Sequence, residues 1–287
     1  MILKHTFGMA ITSIAIVAGV PGSQVRAAPI TFNTALPVSE SEVIFRSLFV
    51  LNQQSGDFGA QPGTVNRYTA NSVIGYGITS RLAVFGVLPT TYIERDIGGL
   101  RSSDFGIGDA QIFARFELYQ SNSKGTTARL SPFAGVRLPS GQRGETGDGS
   151  TDVFGGLIYT TANIDWQFDA QVRFDLNGED SGFERGKSFS IDASFQKRIS
   201  PAKVTAKTTG FLFAVLEANI TVSDENQLFG ADDINSGGFQ ASLSPGLQYA
   251  TRRWIADVAV RIPVLNSLNG TAPEADYSVF ASIRVNF

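Results

Sequence analysis

The chain has 287 residues, a formal net charge of −3, no cysteine and a single histidine, His5. These counts exclude disulfides, and the length suits one or two soluble domains or one membrane barrel. No apolar run reaches the roughly 20 residues that a membrane-spanning helix needs, so no helical span is predicted.

The first 27 residues have the pattern of a secretory signal peptide. Lys4 starts the segment with positive charge, residues 7–20 are its apolar core, and Val25 and Ala27 occupy the positions that a signal peptidase reads. We predict cleavage after Ala27; a membrane-anchoring helix is the alternative. Removal of His5 leaves neither imidazole nor thiol, which excludes Ser-His and Cys-His catalysis and histidine or thiolate metal sites. We therefore expect no enzyme, no metal site and no cofactor, although carboxylates stay available.

After a polar, proline-containing lead at residues 28–41, the sequence alternates apolar and polar residues over short segments. In the clearest segment, Trp166 and Phe168 alternate with Gln167 and Asp169, a pattern that helical periodicity cannot produce. Each such segment is a predicted β-strand. The predicted strands cover residues 42–51, 67–78, 82–94, 109–118, 128–138, 151–161, 166–176, 189–198, 203–219, 239–249, 254–262 and 277–287.

The connections between these strands alternate in length. Tight turns are predicted near Thr79, Ser123, Asn163, Pro201 and Arg252, and long loops near Gly59, Gly99, Gly144, Gly182, Asp232 and Gly270. Short turns at one rim, long loops at the other and an even strand number are typical of outer-membrane barrels. We predict an all-β transmembrane antiparallel barrel of about 12 strands over residues 42–287, with short periplasmic turns and long extracellular loops. The lead, residues 28–41, is expected in the periplasm or in the lumen, and a soluble β-sandwich is the alternative fold.

Three prolines fall inside predicted strands, namely Pro89, Pro132 and Pro245. Proline lacks the N–H that a sheet ladder uses. We therefore expect bulges or strand ends at these positions.

Aromatic residues of the outward phase lie near both ends of the strands, where interfacial girdles are expected. The predicted girdle comprises Tyr76, Tyr92, Trp166, Tyr249, Trp254, Tyr277 and Phe287. The last strand ends on Phe287 and resembles the terminal strand of bacterial outer-membrane barrels. This resemblance implies recognition by the barrel assembly machinery.

The inward phase carries charges of both signs. One interpretation is a charged constriction that screens solutes, and the other is a lattice of salt bridges that fills the lumen. The candidate residues are Arg115, Arg129, Arg137, Arg173, Asp169, Asp192 and Arg284.

Several phenylalanines share this polar phase: Phe113, Phe133, Phe154, Phe211, Phe213 and Phe280. Aromatic rings in an aqueous lumen are unfavourable unless they pack on each other or on an apolar solute. We hypothesise an aromatic-lined path for hydrophobic small molecules. Alternatively, the rings pack against the N-terminal segment, or bulges reverse their phase.

Short glycine-rich motifs occur in a fixed order: GYGITSRL at residues 75–82, Leu88-Pro89, FGIGD at residues 105–109, VRLPSG at residues 136–141 and GSTD at residues 149–152. Together they resemble the outer-membrane family named for the MetA pathway of phenol degradation, over about residues 75–159. The resemblance implies a channel that aids uptake of aromatic or other hydrophobic compounds, and it supplies no catalytic residues.

The sequence therefore favours a passive outer-membrane channel or transporter for small hydrophobic or aromatic solutes. The alternative is a structural or surface-interaction barrel with a filled lumen. Expected partners are outer-membrane lipid, lipopolysaccharide, the assembly machinery and a small-molecule solute, and no nucleic acid. A barrel enzyme is the third hypothesis, and the lack of histidine in the predicted mature chain argues against it.

Overall fold

The computed structural model describes residues 27–58 and 61–287, and these residues form an all-β structure. The predicted signal peptide lies outside the described residues except for Ala27. The strands are β1 (Val43–Phe58), β2 (Gln61–Gly77), β3 (Leu82–Ile97), β4 (Leu100–Ile107), β5 (Ala110–Phe116), β6 (Tyr119–Ser123), β7 (Thr126–Leu138), β8 (Asp152–Asn163), β9 (Trp166–Leu176), β10 (Glu179–Asp180), β11 (Phe183–Glu184), β12 (Ser188–Ser200), β13 (Gly210–Ser223), β14 (Asn226–Leu228), β15 (Ala231–Asp233), β16 (Gly238–Thr251), β17 (Trp254–Leu268) and β18 (Glu274–Asn286).

The main sheet closes into a barrel of 12 antiparallel strands, as the sequence predicts. The first strand, β1, pairs with both β2 and the last strand, β18. The fourth barrel strand consists of β4, β5 and β6, which pair in succession with β3 and β7. At the seam, the N–H of Phe287 donates to the carbonyl oxygen of Val43 at 2.9 Å. Closure matters because lipid cannot hydrogen-bond the open edge of a sheet.

Alternating side chains give the barrel an apolar outside and a mostly polar inside. On β9, Phe174 faces outward with 52% of its surface exposed, whereas the inward Gln167 and Asp169 are buried. No helix in the described part of the chain is long and apolar enough to cross a membrane.

Three of the predicted long loops are in large part strand. β1 continues to Phe58 and β2 begins at Gln61, so the hairpin extends through residues predicted as loop. The same holds for the hairpin of β3 and β4 and for that of β17 and β18. Backbone pairing needs no apolar side chain, so polar, glycine-rich residues continue the ladder without the alternation that marks a strand in lipid.

The ninth strand and its preceding turn also differ from the prediction. β13 begins at Gly210, not at Lys203, and residues 201–209 form a longer connection in which the N–H of Thr208 donates to the carbonyl of Thr205 at 3.0 Å. At the other rim, β10, β11, β14 and β15 form a separate four-stranded sheet within the two loops predicted near residues 182 and 232.

The prolines lie in mid-strand, so the alternative of strand ends is wrong, whereas the neighbouring strand carries one extra residue beside Pro89 and beside Pro132, which agrees with the alternative of bulges. Each proline keeps continuous pairing on one side, to Asn71, Leu157 and Leu216 respectively. On the other side, the pairing is interrupted at each proline. Around Pro89, β3 changes partner from β5 to β4, and around Pro132, β7 changes partner from β5 to β6. At Pro245, β16 is unpaired on this side and resumes pairing with β17 at Gly246. The missing N–H is thus accommodated by a break in the neighbouring ladder.

Candidate functional site

The N-terminal segment, residues 27–38, runs through the inside of the barrel. Ile30 and Ala35 are fully buried there. The carboxylate of Glu217 on β13 accepts hydrogen bonds from the N–H of Ile30 at 2.7 Å and from the N–H and hydroxyl of Thr31 at 3.0 and 2.6 Å. Because a buried carboxylate needs such donors, Glu217 is a strong anchor for this segment.

The far side of the barrel holds the next part of the segment. The guanidinium of Arg115 on β5 donates to the carbonyl oxygens of Thr34 and Leu36 at 2.5 and 2.6 Å. The N–H of Ala35 donates to the hydroxyl of Thr160 on β8 at 2.8 Å. Anchors on opposite walls place the segment across the lumen.

Four inward phenylalanines form an aromatic cluster next to this segment. Phe85 stacks on Phe113 with 4.8 Å between ring centres. Phe133 and Phe154 pack against Phe113 at 6.4 and 6.1 Å. The four rings are buried together with Ala35 and Val38.

The remaining predicted rings lie in a second buried cluster. Phe211, Phe213 and Phe280 pack with Ala27 and Ile30 of the N-terminal segment. The structure therefore places all six predicted phenylalanines inside the barrel, in two groups, both of which contact the segment. Their role in solute passage stays a prediction.

The predicted charged residues are distributed along the lumen and do not form one ring. Arg137 contacts Asp152 at 2.7 Å and Asp175 at 3.3 Å, and Arg173 contacts Asp175 through two hydrogen bonds of 2.7 Å. Elsewhere, Arg129 pairs with Glu117 at 2.8 Å. For part of the set, these contacts are ion pairs of the kind that the lattice interpretation predicts.

Among residues 27–58 and 61–287, three other members of the set, Asp169, Asp192 and Arg284, have no oppositely charged side-chain atom within 4.0 Å and rely on polar contacts. Asp169 accepts hydrogen bonds from Thr160 and Gln167, and Asp192 accepts them from Gln171 and Asn219. Arg284 donates from Nε to the side-chain oxygen of Asn286 at 3.1 Å.

Two cavities lie in the lumen, and they meet at Arg173. The outer cavity, about 910 Å³, is lined by the long loops together with Arg137, Arg173 and Asp175. The inner cavity, about 560 Å³, is lined by the N-terminal segment, by Phe85 and Phe113, and by residues next to the turn at Arg252. Arg173 lines both cavities, so it stands at the boundary between them.

Sequence periodicity does not single out three residues of this region, Arg46, Phe85 and Glu217. Arg46 lies in a strand that is apolar on both phases, and Phe85 lies in the equally apolar stretch that begins β3. Glu217 shares the inward phase of Phe211 and Phe213 on β13, but alternation does not distinguish it from the other inward residues of that strand. An unresolved phase hides the inward side chains of Arg46 and Phe85.

Most residues of the predicted girdle are on the outer surface. Tyr76, Tyr249 and Trp254 are exposed beside the tight turns, and Tyr249 packs on Trp254 at 5.4 Å. Tyr277 is exposed near the opposite rim, and Tyr92 pairs with Tyr68 at 6.0 Å. Their contact with the membrane interface remains a prediction.

A family model described as "Putative MetA-pathway of phenol degradation" matches residues 54–262, which is most of the chain and most of the barrel. The chain belongs to this family. Among curated proteins, no sequence match is significant.

Solved structures share the fold. An outer membrane channel from Pseudomonas putida F1 superimposes with a TM-score of 0.70 at 13% identity, covering 91% of this chain and 100% of that one. The β domain of the Bordetella autotransporter BrkA gives a TM-score of 0.50 at 14% identity, covering 86% of this chain and 100% of that one. The CymD monoaromatic hydrocarbon channel gives only 0.41 at 9% identity, covering 87% and 89%, and that likeness supports no inference. The first two similarities establish an outer-membrane type of barrel for this family member.

Proposed function

We propose that this protein is an outer-membrane channel that admits small hydrophobic or aromatic solutes passively. The observation that carries the proposal is the four-ring cluster of Phe85, Phe113, Phe133 and Phe154, which lies inside a barrel and borders the inner cavity through its first two rings. Apolar rings there offer a solute the dispersion contacts and the desolvated surface that a water-filled pore lacks. Family membership agrees with this solute class.

The location and export of the protein belong to the same proposal. The lipid-compatible exterior and the barrel fold support an outer-membrane site, with lipopolysaccharide around the outer rim. A signal peptide cleaved after Ala27 would deliver the chain to the periplasm. The terminal Phe287 would be read by the barrel assembly machinery. Normal assembly of a Phe287→Ala variant in cells would contradict that role.

The channel is tested by solute passage through the refolded protein in a planar bilayer. We expect small steady currents that added toluene interrupts, because a ring bound in the phenylalanine cluster obstructs ions. A Phe113→Ala/Phe154→Ala double variant should lose the interruption. A Phe174→Ala/Phe195→Ala double variant, whose exposed rings face outward, is the matched control and should retain it. Equal toluene response in both variants contradicts the aromatic path.

A structural or surface-interaction barrel with a filled lumen is the second candidate. The N-terminal segment, anchored by Glu217 and Arg115, favours it because this segment occupies part of the lumen. Complete absence of ion and solute passage in well-folded protein would favour this candidate over the channel.

A further inference from the structure

The inner cavity has a strong excess of basic side chains. Seven arginines line it, against two carboxylates, Glu42 and Asp257. Arg129 and Arg173 pair with acids outside the lining, Glu117 and Asp175. The lining therefore carries more basic than acidic side chains.

Two of these arginines lie directly opposite each other at the barrel seam. Arg46 on β1 is the register partner of Arg284 on β18. Like charges at directly opposed positions destabilise a sheet. Arg115 on β5 lines the same cavity as these two arginines.

The counter-charges of these three arginines are weak or distant. Arg46 has a carboxylate oxygen of Asp257 at 3.7 Å. Within residues 27–58 and 61–287, neither Arg115 nor Arg284 has a carboxylate oxygen within 4.0 Å, and Arg115 is 93% buried. A buried charge without a close counter-charge is costly, so an anion in the cavity would be stabilised there.

An aromatic surface lies next to the charged one. The guanidinium carbon of Arg115 is 5.0 Å from the centre of the Phe85 ring, which in turn stacks on Phe113. Both rings line the same cavity. A ligand that presents an aromatic ring on one side and an anionic group on the other would match both surfaces.

We propose that the inner cavity binds small aromatic carboxylates, with the carboxylate among Arg46, Arg115 and Arg284 and the ring against Phe85 and Phe113. This inference rests on the proposed function and narrows its solute class. A cavity of about 560 Å³ has room for a single-ring acid.

The test is calorimetric titration of the refolded full-length barrel with three single-ring probes: benzoate, toluene and benzylamine. We expect benzoate to bind at least tenfold more tightly than either other probe. Arg284→Gln should weaken benzoate binding at least tenfold. The matched control is Arg261→Gln, since Arg261 also faces inward, over Phe280 at 4.9 Å, but lines neither cavity and has Asp192 and Glu217 as opposite charges. It should leave benzoate affinity unchanged.

Two outcomes overturn the proposal: equal affinity for benzoate and toluene, or an unchanged benzoate affinity in Arg284→Gln. If Arg284→Gln does not refold, Arg284→Lys is used in its place. Because lysine keeps the charge, the decrease of benzoate affinity with added salt should be more than half of the decrease in the wild type. A salt-independent affinity in the wild type also overturns the proposal. The bilayer assay separates the two proposals, because toluene interruption without benzoate preference leaves the channel function intact.

Discussion

The guanidinium of Arg173 lies over the ring of Phe154, with 4.2 Å between its central carbon and the ring centre. The same guanidinium holds Asp175 through two hydrogen bonds and lines both cavities. A cation held on a ring face by a carboxylate is well fixed, so this pair is held at the point where the two cavities meet.

Replacing Arg173 by alanine should widen this point. Asp175 keeps Arg137 as a partner at 3.3 Å, so the carboxylate is not left alone. We expect single-channel conductance to rise about twofold or more, from the loss of side-chain volume at the boundary. Arg261→Ala, at an inward site away from both cavities, is the control. Equal conductance in the two variants would argue against a boundary at Arg173.

Glu217→Ala should release the N-terminal segment. The variant loses three hydrogen bonds from Ile30 and Thr31 to a charged acceptor, each typically worth about 1.5–3 kcal/mol. We expect faster proteolysis at residues 28–38 and noisier, larger currents in a bilayer. Glu94→Ala removes an acid from the exposed face of β3 and serves as the control. A segment that resists protease equally in both variants would refute this anchoring.

Gly135→Ala should disturb the aromatic cluster. A Cβ at this position would come within 2.4 Å of the Cβ of Phe113, 2.5 Å of the Ile112 carbonyl oxygen and 2.8 Å of the Phe154 ring. Overpacking of this kind typically costs about 1–3 kcal/mol. Gly86→Ala is the matched control, because its added Cβ meets open space. The check is the free energy of unfolding in urea, and we expect only Gly135→Ala to lower it.

The outer loops should loosen in acid. Burial alone would raise the pKa of Asp148, but the Arg185 guanidinium and a hydrogen bond with Asp109 outweigh it and lower that pKa below 3.8. A lowered pKa contributes stability above the unfolded value, and this contribution disappears as the pH falls from about 4 through the folded value. Spin labels at residue 144 should therefore become more mobile below about pH 4. In an Asp148→Asn variant the spin label should be mobile at every pH and show no such transition. A label mobility that does not change with pH in the wild type would contradict the prediction.

The strand count and the inward phase of six phenylalanines follow from the sequence alone, because a strand with one face in lipid must alternate strictly. That alternation is local, so it can be read where the two sides differ in polarity, as in residues 166–176. Alternation does not reveal a strand whose two sides both face water. For this reason the sequence predicts a loop where β1 and β2 continue as a hairpin.

The contents of the lumen depend on the closed barrel. Nothing in the local pattern of residues 28–41 indicates Glu217 or Arg115 as partners. Glu217 lies 187 positions along the chain from Ile30, and Arg115 lies 81 positions from Thr34 and 79 from Leu36. The same is true of Arg46 and Arg284, which closure of the barrel brings opposite each other. The sequence by itself determined an alternating, lipid-facing barrel, because that requirement acts on every strand separately. Only the tertiary structure decided which charges, rings and backbone groups meet inside, because closure pairs residues from the two ends of the chain.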